Sequence, residues 1–192
     1  YVLSDEVYSK LIYEKTHHSP TIFDQCCERT ILLKSLSKEY AMSGWRLGYA
    51  VGPKQIIEKM GLLLQTIMSC LPAFSQFGGV AALQDEQTFL DEMVNIFRNR
   101  RDLLVDGLNH IPNVQCVKPE GAFYVMPKIN HRGLSGFEYS EKLLEEAGIC
   151  LLPGSCFGEH GSDFMRMSYS GTTTEMIEET LGKMSEFHKR NF

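Results

Sequence analysis

The sequence predicts an α/β chain whose first half alternates short buried strands with long helices and whose second half is a smaller α+β unit. Two kinds of pattern carry this reading. Residues 30–34 and 48–51 are short β-branched or apolar runs, the second closed by Gly52-Pro53, and both have the character of buried strands. Residues 54–71 instead repeat apolar side chains at helical spacing, at Ile56, Ile57, Met60, Leu63, Leu64, Ile67 and Met68, with Pro72 closing the pattern.

The elements follow in order. Residues 75–83 read as a further helix, and 86–109 as a long amphipathic one with Phe89, Leu90, Met93, Ile96, Phe97, Leu103, Leu104 and Leu108 on its apolar side. Its length suits a connection between domains, so the boundary is placed within it, giving 1–97 and 98–192. Beyond it, 114–117 and 122–126 read as strands separated by the turn-rich Lys118-Pro119-Glu120-Gly121. Residues 138–147 are helical with Gly148 as the stop, and 149–152 and 164–168 are strands around the Gly-rich loop 153–161. The last helix opens on Thr172-Thr173-Thr174-Glu175, where Thr172 and Glu175 are spaced for a capping box. The chain starts on a strand-like run, Tyr1-Val2-Leu3, with no loop before it, and upstream sequence is expected.

Composition narrows the function classes. A net charge of -5 argues against a nucleic-acid surface, which needs a basic excess to displace phosphate counterions. No run of 18 apolar residues and no basic leader is visible, so neither a membrane span nor a signal peptide is expected. The six cysteines form no CxxC pair, and reduced thiols in a cytoplasmic protein are the expectation. The histidines show no ligand spacing, and no metal site is predicted.

The segment between the first two strands of this reading holds the chemistry: Ser35-Leu36-Ser37-Lys38-Glu39-Tyr40-Ala41-Met42-Ser43-Gly44-Trp45-Arg46-Leu47-Gly48-Tyr49. A lysine amine whose surroundings lower its pKa condenses with an aldehyde to a Schiff base, and Lys38 is the candidate. The Ser35 and Ser37 hydroxyls with the Arg46 guanidinium offer hydrogen-bond donors and one fixed positive charge, a set suited to a phosphate. A carboxylate such as Asp5, if buried against a pyridine nitrogen, would keep that ring protonated and make it an electron sink. Ser-Leu-Ser-Lys alone describes a solvated surface lysine, Asp5 and Tyr8 alone describe turn residues, and Arg166 alone describes half of a surface ion pair.

Taken together, the long segment, the upstream Asp5-Glu6-Val7-Tyr8 and the downstream Arg166-Met167-Ser168-Tyr169 resemble three motifs of the class I pyridoxal-phosphate-dependent aminotransferases, in that family's order and over the whole chain. The resemblance implies fold-type I architecture, with part of the large, mostly parallel-sheet domain followed by the small C-terminal α+β domain. It makes Lys38 the residue that carries pyridoxal 5'-phosphate as a Schiff base and moves the proton between substrate Cα and cofactor. Asp5 then matches the aspartate on the pyridine nitrogen, Tyr8 the tyrosine on the phenolic oxygen, and Ser35, Ser37 and Arg46 the phosphate ligands. Arg166 matches the arginine that grips the substrate α-carboxylate. Gly121-Ala122-Phe123 and Pro153-Gly154-Ser155-Cys156-Phe157-Gly158 resemble family loops with less specific roles.

The activity so implied is transfer of an amino group from an L-amino acid to a 2-oxo acid in a homodimer. A C–S lyase or synthase of the same fold, and a catalytically inactive or regulatory module on the same scaffold, stand beside it. Neutral or aromatic donors are favoured slightly over dicarboxylic ones, because no second substrate arginine is identifiable. Two departures are noted. Glu39 stands where many relatives carry a small or neutral residue, and could perturb the lysine electrostatically or point to solvent. The family's N-terminal half, which supplies the ring-stacking aromatic, an asparagine on the phenolic oxygen and part of the phosphate cradle, has no counterpart here.

Overall fold

The computed structural model describes residues 1–192, which divide into two compact units, Tyr1–Glu92 and Met93–Phe192.

The first unit is built on a three-stranded sheet in the order β1 (Val2–Asp5), β2 (Thr30–Ser35), β3 (Gly48–Val51). Strands β1 and β2 are parallel, with Asp5 opposite Leu33, whereas β2 and β3 are antiparallel, with Ser35 opposite Gly48. A single-turn helix, α1 (Leu36–Glu39), follows β2 directly. Helices α2 (Lys54–Met68) and α3 (Ala73–Gln84) come after β3, each with a proline at its N-cap, where the missing N–H is not needed. The small core of this unit holds Leu11, Tyr13, Leu36, Tyr40 and Met42.

The apolar stripe of α2 forms the expected helix but does not enter a core: no α2 residue is buried, and Ile67 is 77% exposed. The neighbouring helix shows the same feature at Phe74 and Phe77, which are 71% and 74% exposed. Periodicity reports which side chains share a face; it does not report what covers that face.

Helix α4 (Thr88–Asn109) runs through the boundary between the units. The second unit pairs β4 (Val114–Gln115) with β6 (Lys128–Ile129) and arranges β5 (Tyr124–Val125), β8 (Met165–Ser168) and β7 (Leu152–Pro153) in the order β5-β8-β7, all antiparallel. The segments read as neighbouring strands around Lys118–Gly121 therefore do not pair with each other. Helices α5 (Gly136–Ala147) and α6 (Thr174–Asn191) pack on these strands, with Tyr139, Leu143, Met165, Tyr169, Met184 and Phe187 fully buried among them.

Three of the differences from the sequence reading have a local cause. The last helix is capped by Thr173, whose hydroxyl oxygen accepts the Met176 N–H at 3.3 Å, while Thr172 donates to the Tyr169 carbonyl instead. The capping box forms on α5, where the Ser135 and Glu138 side chains each accept the other's backbone N–H, contributing about 1 kcal/mol. The run at 149–152 pairs only through Leu152 and Pro153, because Gly148 at φ 69° ends α5 in a left-handed turn and the chain needs the next residues to reach β8. No helix is long and apolar enough to cross a membrane.

Candidate active site

The topology of the first sheet brings six of the sequence-predicted residues to one edge. Asp5 is the last residue of β1 and Tyr8 lies three residues beyond it; Ser35 is the last residue of the parallel neighbour β2 and Lys38 lies three residues beyond that. Both pairs thus emerge at the carboxyl ends of adjacent parallel strands, where open α/β sheets place their ligands. Because β3 is antiparallel to β2, its start lies at the same edge, and Arg46 sits two residues before it. Ser37, inside α1, completes the group.

Local chemistry fixes each member. The Ser35 hydroxyl oxygen caps α1 by accepting the Ser37 N–H at 3.1 Å, which starts the helical turn that carries Lys38. Lys38 is half-buried. Asp5 lines a cavity of about 550 Å³ together with Ser35, Tyr49, Met60 and Leu64, and its Oδ1 accepts the Val7 N–H at 3.3 Å. The carboxylate that the ring-nitrogen role requires to be buried is exposed in this chain.

Arg46 adopts φ 54°, ψ 45°, a left-handed conformation uncommon outside glycine, and its Nη1 donates to the Ser43 carbonyl at 2.9 Å. Its neighbours explain how that conformation is held. A Cβ on Gly78 would lie 2.5 Å from the Trp45 ring, and one on Gly79 would lie 2.2 Å from the Leu47 side chain. The two glycines of α3 therefore seat Trp45 and Leu47 against the helix backbone, and the chain turns at Arg46 between them. A second cavity of about 530 Å³, lined by Trp45, Arg46, Met68 and Phe74, opens beside this turn.

Two acidic residues adjacent to site positions have different tasks. Glu39 is 3% exposed, and its Oε1 accepts the Ser9 hydroxyl at 2.6 Å, the Lys10 N–H at 2.9 Å and the Lys34 ammonium at 3.4 Å. It points neither to solvent nor to a ligand, but binds the turn after Tyr8 to the helix that bears Lys38. Glu6, next to Asp5, is also buried: strand alternation turns it away, and it takes hydrogen bonds from Ser4, Ser19 and His17, the last at 2.9 Å. Burial alone would raise the Glu6 carboxyl, but these hydrogen bonds outweigh it and hold the group below the ordinary carboxylate range. The sequence reading missed both clusters, since their members are spread over residues 4–39 with no motif spacing.

Arg166 belongs to the second unit. In β8, Met165 and Met167 face the core while Arg166 and Ser168 face outward. Tyr124 pairs with Ser168, which makes it the diagonal neighbour of Arg166 on the outward face. The Arg166 Cζ lies 4.7 Å from the Tyr124 ring centroid and 4.4 Å from that of Phe157. Phe157 arrives on the loop after β7, and that loop is closed by a glycine contact. A Cβ on Gly161 would sit 2.2 Å from the Gly154 carbonyl oxygen, and one on Gly154 would sit 2.4 Å from that of Gly161.

Helix α4 holds the turn that leads into β5. Arg101 is fully buried; its Nε donates to Asp102 Oδ1 at 2.8 Å and its Nη1 to the Pro119 carbonyl at 2.9 Å, while Lys118 bonds the same carboxylate at 2.8 Å. This fastens the turn at 118–121 that leads into Ala122, at φ 60°, and β5.

The donor set at this edge, a lysine amine, a carboxylate, a phenol, serine hydroxyls and a guanidinium, is of the kind that would hold pyridoxal phosphate; Asp5 and Ser35 line the first cavity and Arg46 the second.

Comparison with known proteins identifies the family. The family model for aminotransferases of class I and II matches residues 1–184. The chain is 39% identical over 180 residues to an aspartate aminotransferase of Pyrococcus horikoshii, covering 93% of this chain and 46% of that protein. It is 38% identical over 191 residues to aromatic-amino-acid aminotransferase 2 of Thermococcus litoralis, covering 98% and 49% respectively. Among solved structures, it superposes on an aromatic aminotransferase from Pyrococcus horikoshii with a TM-score of 0.92 at 38% identity, covering 98% of this chain and 51% of that one. The chain thus spans about half the length of the curated relatives it matches. With the architecture of a fold-type I transferase, the chain belongs to the class I and II aminotransferase family.

Proposed function

We propose that this chain forms the lysine-bearing part of an aminotransferase that moves the amino group of an L-amino acid to a 2-oxo acid, with pyridoxal phosphate as cofactor. The observation that carries the reading is the placement of Asp5 and Tyr8 on one parallel strand end and of Ser35 and Lys38 on the next. In this reading Tyr1–Glu92 is part of the large cofactor-binding domain and Met93–Phe192 is the small domain.

Bound at this edge, pyridoxal phosphate supplies the electron sink. Lys38 would hold it through the side-chain amine and, when that amine is free, would act as the base that holds the proton of the substrate Cα. Asp5 holds the ring nitrogen protonated, a task that requires its carboxylate to be covered by groups outside this chain. Tyr8 bonds the phenolic oxygen, Ser35, Ser37 and Arg46 hold the phosphate, and Arg166 takes the substrate α-carboxylate through its two-pronged edge. The exposed apolar faces of α2 and α3 support association with further polypeptide, and the whole is read as a homodimer. Six unbridged cysteines are consistent with a cytoplasmic setting. Neutral or aromatic donors are favoured over dicarboxylic ones.

The test uses the longest natural polypeptide that carries residues 1–192, loaded with pyridoxal phosphate and followed by its visible spectrum. Addition of single L-amino acids without an acceptor is expected to convert the aldehyde-form band to the amine-form band, and Lys38→Ala should abolish both the bound band and the conversion. Release of pyruvate and ammonia without conversion would instead establish the lyase. A spectrum that Lys38→Ala leaves unchanged would overturn the assignment of that lysine, and no bound band at all would favour the inactive or regulatory module.

A further inference from the structure

Two aromatic rings enclose the arginine that this reading assigns to the substrate carboxylate, and they come from loops or strands for which the sequence suggested no definite role. We infer that Tyr124 and Phe157 are positioning residues for carboxylate recognition: they hold the Arg166 guanidinium in one plane, so that only its N–H edge is offered to substrate. The inference rests on the reading of Arg166 as the carboxylate-binding residue.

The geometry supports a sandwich. With Cζ at 4.7 Å from one ring centroid and 4.4 Å from the other, both distances fall well within the range at which a guanidinium is attracted to an aromatic face. Guanidinium is planar and weakly hydrated on its faces, so stacking covers the faces without removing the in-plane donors. A carboxylate approaches in that plane and takes two parallel hydrogen bonds. An arginine free to swing must be ordered when substrate arrives, whereas one already held between rings has little freedom left to lose.

Each ring is itself fixed by the fold. Tyr124 is set by strand pairing, as the diagonal neighbour of Arg166 across β5 and β8. Phe157 is 51% exposed and has no core to hold it, so its place depends on the closure of the 154–161 loop. That closure consists of the Gly154–Gly161 contact and the Gly154 N–H donated to the Phe164 carbonyl at 2.7 Å. The two glycines thereby acquire a reason: they bring the loop tight enough to return Phe157 over a strand it does not belong to.

The test compares binding of 3-phenylpropanoate with that of 3-phenylpropanamide, by calorimetry on the cofactor-loaded natural polypeptide. The Arg166 Nε–H signal is followed in parallel by NMR. Tyr124→Leu and Phe157→Leu are each expected to weaken carboxylate binding about three- to fivefold while leaving the amide unchanged. They should also move the Nε–H signal from its ring-shielded position. Tyr124→Phe and Phe157→Tyr, which keep the rings, should restore both readouts. A merely structural role for the rings would weaken acid and amide alike. Arg166→Lys separates the two claims. If it leaves the preference for acid over amide intact, or if the unaltered protein shows no such preference, the reading of Arg166 fails. If it abolishes the preference while both leucine variants retain the unaltered constant and Nε–H signal, the sandwich inference alone is overturned.

Discussion

The Glu39 carboxylate accepts the Ser9 hydroxyl at 2.6 Å, joining the turn that follows Tyr8 to the helix that carries Lys38. Two site residues, one in the turn after β1 and one in the helix after β2, are thus tied together by a third whose carboxylate is buried among protein donors. Glu39→Ala leaves the Lys34 ammonium, the Ser9 hydroxyl and the Lys10 N–H without their shared acceptor, and a loss of about 2–4 kcal/mol in stability is expected. Chemical denaturation measures it, and hydrogen exchange at the Lys10 amide should accelerate in the same variant. Unchanged exchange there would show that the turn is held by other contacts.

Arg101 makes a comparable link in the second unit. Its guanidinium has no exposure and bonds both Asp102 and the Pro119 carbonyl, so Arg101→Met should cost about 3 kcal/mol. Arg101→Lys should recover little, because an ammonium cannot reproduce the fork. Thermal unfolding of the two variants beside the unaltered chain decides the matter; full rescue by lysine would mean that charge alone, and not planar geometry, fastens the 118–121 turn.

Gly161→Ala places a methyl group 2.2 Å from the Gly154 carbonyl oxygen, a backbone atom that cannot yield as a side chain would. The loop must open, at about 1–3 kcal/mol. Carboxylate affinity should fall in step with the Phe157→Leu variant. Loss of stability without loss of affinity would detach loop closure from the placement of Phe157.

Acid sensitivity is expected from His188, which is 1% exposed, with Nε2 at 2.8 Å from the Tyr139 hydroxyl and Nδ1 at 3.1 Å from the Pro112 carbonyl. Burial lowers its pKa below the ordinary 6.5, and the bond to Pro112 only partly opposes this. The folded state therefore holds the ring neutral after the unfolded chain has begun to bind a proton. The contribution is complete above pH 6.5 and is lost as pH falls from there through the lower folded value. The thermal midpoint should drop between about pH 7 and about pH 5, and His188→Gln should flatten that slope even if it lowers the midpoint overall. An unaltered slope would place the acid-sensitive group elsewhere.

Much of the molecule was legible because local chemistry repeats along the chain. The helical period of Ile56, Ile57, Met60, Leu63, Leu64 and Ile67 specified α2, the apolar runs specified β2 and β3, and Gly148 specified the end of α5. The lysine segment, its aspartate and tyrosine partners and the distant arginine were likewise readable as types in an order. What sequence could not supply was partnership. Whether Glu39 faces water or a buried amide, and which rings lie against Arg166, depend on segments far apart in the chain. Hydrogen bonds and ring stacking act over a few ångströms, and only the pairing of strands brings such segments within that range. The sequence by itself determined the family and the fold class; the tertiary structure decided the contacts around the candidate residues, because burial and proximity are properties of the folded chain.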